Sequence, residues 1–390
     1  MFTAGLAPVP FLPPWDRDFD DRLRVLMQGS PRAAYFYEKP DAATFRYRVF
    51  NMAMALADRV GGPSAAWFDR DDWDRMDQVL DSCDVLVICR ARYNSRIARL
   101  IERARARAKR VLFDVDDLVF DTRYVHLLVE TLGLNVIDER IWEDWFAMCS
   151  RLEAVFRLCD GAVVANAYLA ERAREAFGDG RPVAVVPNFL ERAQQALSDR
   201  VWQAKEASGW VRDRRIHLGY FSGTASHNRD FAIIEGPLAR LMDEDPRLVL
   251  RIAGFLDIGP QFERHASRIE FFPLQDPLNL QRVIGETEVN LVPSQINAFT
   301  HCKSELKWFE AAAVGTVTVA SPTYAFKNAI ASGRTGWLVP AQKWEQTLRQ
   351  VIEGLDASRS VVIEARDEAL ARHGWDRQTN QIIEALFGRG

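Results

Sequence analysis

The order of apolar runs in the sequence predicts an α/β protein of two doubly wound, parallel-sheet domains facing a cleft. Three observations predict it. Short β-branched or aromatic runs alternate with longer helix-like stretches, and the alternation breaks once and then resumes. Several of the runs are apolar on consecutive positions, as strands are when a sheet is covered on both faces. The length, 390 residues, suits two or three domains of about 150 residues each.

The first set of strands is expected at 23–27, 65–68, 84–89, 110–114, 161–165 and 183–186, with helical stretches at 42–60, 94–110 and 143–158 between them. Residues 191–215 are polar and charged and carry no strand pattern. The second set follows at 216–223, 248–254, 269–273, 289–293, 316–321 and 336–340. Helices are expected from about Asp230, near 276–285 and near 303–314. The chain therefore divides into a proline-rich lead (1–20), a first domain (21–205), a second domain (211–365) and a closing helical stretch (366–390). Ligands of such sheets bind where strand ends meet helix starts, and two such domains place the default site in the cleft between them.

Composition narrows the function. Hydrophobic residues make up 48% of the chain, with 11 Trp and 23 Phe, which excludes wholesale disorder. Fifty basic against 54 acidic side chains leave a net charge of −4, so a dedicated nucleic-acid binder is not expected. Five cysteines without a C-x-x-C pair point to a reducing compartment rather than a disulfide framework. No apolar run approaches the ~20 residues that cross a bilayer. The start of the chain lacks a basic segment followed by an apolar one, so it does not read as a signal peptide. The expected location is cytoplasmic.

The most informative segment is SQINAFTHCKSELKWFEAAAVGTVTVAS, residues 294–321. In a helix starting near Lys303, Lys303, Lys307 and Glu310 fall at i, i+4 and i+7 on one face. Lysines in a first turn are repelled by the positive end of the helix dipole, and Lys before Glu is the weaker order for a helical ion pair. Gathering cations there is unfavourable unless an anion binds, and such a terminus suits phosphate. The plain alternative is a solvated helix with a Lys307–Glu310 pair. A second segment, HLGYFSGTASHNRDF (217–231), reads as strand, Ser-Gly-Thr turn and helix. Gly223 there admits a close ligand, and Thr224 can hold phosphate oxygens, although such turns favour these residues in general.

Residues 303–339, KSELKWFEAAAVGTVTVASPTYAFKNAIASGRTGWLV, resemble the K-x-x-E-x-x-A-x-G-x-P-V-V-A-S and G-x-L-V motifs of GT-B glycosyltransferases, especially those that build bacterial polysaccharides. VVPNFLE (185–191) is similar to the P-N-G-x-D at the end of that family's first domain. The resemblance implies two Rossmann-like domains, with the closing stretch near 373–386 crossing back onto the first. It implies a nucleotide-diphosphate sugar as donor, a glycan or lipid-linked glycan as acceptor, and no metal or other cofactor. Glu310 would hold the ribose hydroxyls. Lys303, Ser304 and Lys307 would meet the diphosphate, with Gly223 and Thr224 opposite. Two departures stand out: Cys302 occupies the place eight before Glu310 where many relatives have a second Glu, and SGTASHNRD replaces a glycine-rich turn with lysine. His227 or Arg229 would take that cationic role.

The acidic strand end RVLFDVDDLVFDTRYVH (110–126) has competing explanations. A haloacid-dehalogenase-type phosphatase wants Thr where Leu118 stands, and a D-x-D metal site of the GT-A kind would not need a second α/β domain. A cluster facing the cleft is the third, with Asp116 or Asp117 as general base for an inverting transfer; in a retaining one the leaving phosphate takes the proton. His126 lies in the general region where the resemblance implies a histidine that contacts the donor sugar, which makes it a catalytic candidate beside the plain reading of an ordinary surface or core histidine, and Arg90, at a strand end, is a candidate for the acceptor. The basic stretch 90–110 reads as a packed helix whose outer face would attract anionic lipid heads, which would make the protein peripheral on the inner face of the plasma membrane. Other enzymes on the same frame, such as a nucleotide-sugar epimerase or a phosphorylase, stay open. So does a non-catalytic nucleotide- or glycan-binding partner of a polysaccharide synthase.

Overall fold

The computed structural model describes residue 2 and residues 6–57, 61–223 and 228–388. Among them run two six-stranded, wholly parallel sheets. The first holds β1 (Arg32–Phe36), β2 (Ser64–Phe68), β3 (Val85–Cys89), β4 (Arg110–Val115), β5 (Gly161–Val164) and β6 (Val183–Val185), in the order β2-β1-β3-β4-β5-β6. The second holds β7 (Ile216–Ser222), β8 (Leu248–Gly254), β9 (Ile269–Phe272), β10 (Val289–Val292), β11 (Val317–Ala320) and β12 (Trp337–Leu338), in the order β12-β11-β10-β7-β8-β9. The strand order reverses between β1 and β3 in one sheet and between β7 and β10 in the other. Those crevices at the carboxyl ends are where doubly wound sheets take ligands.

Two expectations about elements fail for local reasons. Residues 23–27, read as a strand, lie mostly within the helix Phe19–Leu26, which starts where the Asp18 side chain accepts from the Asp21 amide. Its Phe19, Leu23 and Leu26 face the core at helical spacing. The strand that opens the sheet is β1, RAAYF, whose alanines are fully covered and carry no β signature. The polar stretch after 190 is also ordered. Glu191 and Gln194 form a capping box for the helix Arg192–Ala207, which carries the chain from one domain to the other.

Both ends of the chain tie the domains together. Backbone bonds to Asn279 hold Val9 on the second domain, while Trp15 packs with Phe45, Phe50 and Trp67 of the first. The helix Thr379–Phe387 buries Ile382 and Leu386 in that same cluster. Just before it, His373 stacks on Phe309 and its Nδ1–H donates to the Asn188 carbonyl at 3.0 Å, which fixes the neutral tautomer. Burial pulls the His373 ring down to about 4. A mixed apolar cluster of Tyr47, Leu190, Trp308, Phe309 and Ala369 thereby seats the helix Leu306–Ala313 against the first domain.

Candidate active site

At the switch point of the second sheet, β7 ends at Ser222 and the exposed Gly223 follows. A Cβ at Gly223 would meet nothing within 4 Å among the described residues. At Gly254 the reverse holds: its φ is +96° and a Cβ would sit 1.8 Å from the Ser222 carbonyl oxygen. Thr224 and His227 lie outside the described residues.

The helix after β10 starts at Leu306, three residues later than expected, because the short helix Ala298–His301 intervenes. Lys303 therefore sits in the turn before the helix and Lys307 in its first turn. Glu305 caps the helix without a side-chain hydrogen bond, so its leading amides keep their donor capacity. Beside them the Ser304 hydroxyl is sealed from solvent and has no hydrogen-bond partner among the described residues. The Lys307 ammonium lies 5.2 Å from the centre of the Tyr220 ring and meets no carboxylate at ion-pair distance among the described residues. Burial draws it down to about 8, against the pull of Asp230 and Glu310. An unmatched ammonium, an orphaned hydroxyl and a helix start together make a site for an anion.

Glu310 is 3% exposed and points toward the first domain. Its Oε1 accepts a short hydrogen bond from the Tyr47 hydroxyl and one of 3.0 Å from Gln194 Nε2, with the Arg46 guanidinium 3.7 Å away. Arg46 in turn donates to Gln194 Oε1 at 2.9 Å. The sequence singled out none of these three partners. The one local signal is a pair of arginines inside the otherwise apolar stretch RYRVFNM.

The first sheet's strand ends are arranged differently. Arg48 and Asp114, both fully buried, form a two-pronged pair at 2.8 and 3.1 Å. Arg90, held at φ +46°, donates to Asp116 at 3.0 Å, Asp117 at 3.1 Å and Thr44 at 3.0 Å. Burial raises the Asp116 carboxyl, Arg90 opposes it and the Asp117 charge adds to it. Lys303 reaches over from the second domain to within 3.7 Å of Asp117. So Arg90, Asp116, Asp117 and Lys303 meet in one cluster, whereas His126 is exposed near the start of the helix Val125–Thr131.

Arg90, the candidate for the acceptor, meets Asp116, Asp117 and Thr44 through Nη1 alone. Arg229, the alternative to His227 for the cationic role, reaches the first domain, where its Nη1 donates to the Glu130 carbonyl at 2.7 Å. In the basic helix, Arg103 and Arg107 pair with Asp77 and Asp81, and Arg105 bonds the Leu158 carbonyl. Among the described residues no helix is long and apolar enough to cross a membrane.

The position of Cys302 has a physical cause. Asn166 Nδ2 donates to the Cys302 and Lys303 carbonyls at 2.9 and 3.1 Å, and Asn297 donates to the Thr131 hydroxyl at 2.8 Å. These bonds press the segment onto the first domain, where Phe299 and the fully covered Cys302 join its apolar core. A carboxylate at 302 would be buried there without a partner. A cavity of about 420 Å³ lined by Ile258, Phe262 and Phe271 lies along edge strand β9, two strands from the switch point.

Residues 218–356 match the family described as glycosyl transferases group 1. No curated protein matches the chain. Among solved structures, HepE of Anabaena, in complex with UDP and glucose, is similar at a TM-score of 0.59 and 12% identity, over 90% of this chain and 98% of that one. Sucrose-phosphate synthase from Thermosynechococcus elongatus is similar at 0.59 and 14%, over 91% and 97%. The pneumococcal O-GlcNAc transferase GtfA, in complex with UDP and GlcNAc, is similar at 0.54 and 14%, over 81% and 60%.

Proposed function

We propose, from the match of residues 218–356 to glycosyl transferases group 1 and from the GT-B fold, that the chain is a glycosyltransferase that moves a sugar from a nucleotide-diphosphate sugar to a glycan or lipid-linked glycan of a bacterial surface polysaccharide. The observation that carries the donor assignment is the Lys307 ammonium, which meets no carboxylate at ion-pair distance among the described residues and stands beside the orphaned Ser304 hydroxyl at a helix start. A diphosphate supplies the missing charge and acceptor atoms. UDP is the first nucleotide to try, since HepE and GtfA bind it.

In this reading Lys307, Ser304 and the first amides of the helix Leu306–Ala313 hold the departing diphosphate, as preorganised donors facing charge that grows in the transition state. Lys303, shared with Asp117, swings to the same phosphates. The positive charge comes from lysines and the helix start, so the transfer runs without a metal. Glu310 offers its second oxygen to the ribose, and Gly223 leaves room for the donor. Asp116, raised by burial and by Asp117, is placed to take the acceptor hydroxyl's proton. With Arg90 neutralised, the acceptor end of the cleft suits an uncharged polyol.

Titration calorimetry with UDP, GDP, dTDP, CDP and ADP tests the donor site, with and without magnesium. One nucleotide binding without metal supports it, and silence across the panel removes it. A second reading, a nucleotide-binding partner without turnover, is favoured by the burial of Cys302 where a carboxylate would face the sugar. Donor binding without transfer to any acceptor glycan would select it.

A further inference from the structure

Resting on that reading of Glu310, we propose that Tyr47 and Gln194 are positioning residues that lock Glu310 for the donor ribose only when the two domains are closed. All the protein donors converge on one oxygen. Tyr47 Oη and Gln194 Nε2 both donate to Oε1, while Oε2 accepts no hydrogen bond among the described residues.

The donors themselves are fixed. Gln194 Oε1 accepts from the Glu191 amide and from Arg46, which sets the amide so that Nε2 faces the carboxylate. The Arg46 guanidinium covers the Tyr47 ring at 4.0 Å. Tyr47, Gln194 and Glu310 are 5%, 0% and 3% exposed, so these charge-assisted bonds form away from competing water. With Oε1 held twice, the carboxylate cannot rotate without breaking both bonds, and Oε2 is presented in one direction.

The three partners belong to three parts of the chain. Tyr47 lies in the first domain, Gln194 in the first turn of the helix that joins the domains, and Glu310 in the second domain. Separation of the domains carries Tyr47 away and frees the carboxylate. Donor grip and closure are then one linked equilibrium, and each favours the other to the same extent. A carboxylate that served only to join the domains would have no reason to keep one oxygen unbonded.

The test compares UDP with 2′,3′-dideoxy-UDP, which lacks the hydroxyls Oε2 would accept from. Tyr47→Phe keeps the ring and its packing but removes the hydroxyl; Gln194→Met keeps the length but not the amide, and carries the test should Tyr47→Phe fail to fold. Wild type is expected to bind UDP at least tenfold more tightly than the dideoxy analogue. Each variant is expected to lose about tenfold in UDP affinity and to bind the analogue as wild type does. Equal weakening toward both ligands, or unchanged UDP affinity in a folded variant, overturns the positioning role. No preference for UDP in the wild type removes the ribose contact itself, and with it the reading on which the proposal rests.

Discussion

At the carboxyl end of the first sheet, Arg48 and Arg90 are met by Asp114 and by the Asp116–Asp117 pair; at the carboxyl end of the second, Lys307 meets no carboxylate at ion-pair distance among the described residues. The two domains share a topology and differ in what fills the crevice. In the first, side chains satisfy one another, which fixes shape and leaves hydroxyl-sized recognition. In the second, a cation has no carboxylate at ion-pair distance and a hydroxyl has no hydrogen-bond partner among the described residues. A buried polar group left unmatched beside a strand end and a helix start is a candidate for a ligand contact.

The sharpest way to break the comparison is to unmatch the first domain. Arg48→Met strands the fully buried Asp114, and removing one member of such a pair typically loses about 3–5 kcal/mol. Denaturant unfolding is expected to show a loss of that size, with Arg90→Met, in the more open cluster, losing far less. Equal losses would mean that both pairs are structural.

In the second domain the effect moves from stability to binding. Lys307→Met is expected to weaken UDP binding about 100-fold, about 2.8 kcal/mol. The thermal transition should hold or rise, since the substitution removes a buried ammonium with no counter-ion. A fall in melting temperature with unchanged UDP affinity would return Lys307 to the structural side.

The same lysine predicts a pH signature. Its folded value of about 8 lies below the ordinary lysine value of 10.5, so between those values the unfolded chain holds more protons and stability rises with pH. Binding runs the other way. The anion prefers the charged ammonium, so UDP affinity is expected to be level below about pH 8 and to fall above it, by up to about tenfold per unit. Lys307→Met should abolish that slope. A smaller loss is expected of Ser304→Ala, about five- to tenfold in UDP affinity, near the worth of one hydrogen bond.

Much of the architecture is carried by local pattern. Consecutive apolar positions mark β3, β4, β7 and β8, and the spacing of Lys303, Lys307 and Glu310 draws attention to the segment after β10. Other features escape because nothing local encodes them. β1 is two alanines between Arg32 and Tyr35, shaped as a strand only by neighbours on both sides. The helix Arg192–Ala207 is polar because it rides between domains, where a core-facing stripe is narrow. Tyr47 and Gln194 stand 263 and 116 residues from Glu310, so only the assembled fold brings them to its carboxylate. The protein partners of Arg90 and Arg229, likewise distant in sequence, emerge only in the assembled fold.

The central claim is that the donor's charge is met by the second domain and not by the first. UDP titration of wild type, Arg90→Met and Lys307→Met tests it most directly. The account predicts that Arg90→Met binds UDP within about twofold of wild type while Lys307→Met loses about 100-fold. Retained binding in Lys307→Met with loss in Arg90→Met would contradict it.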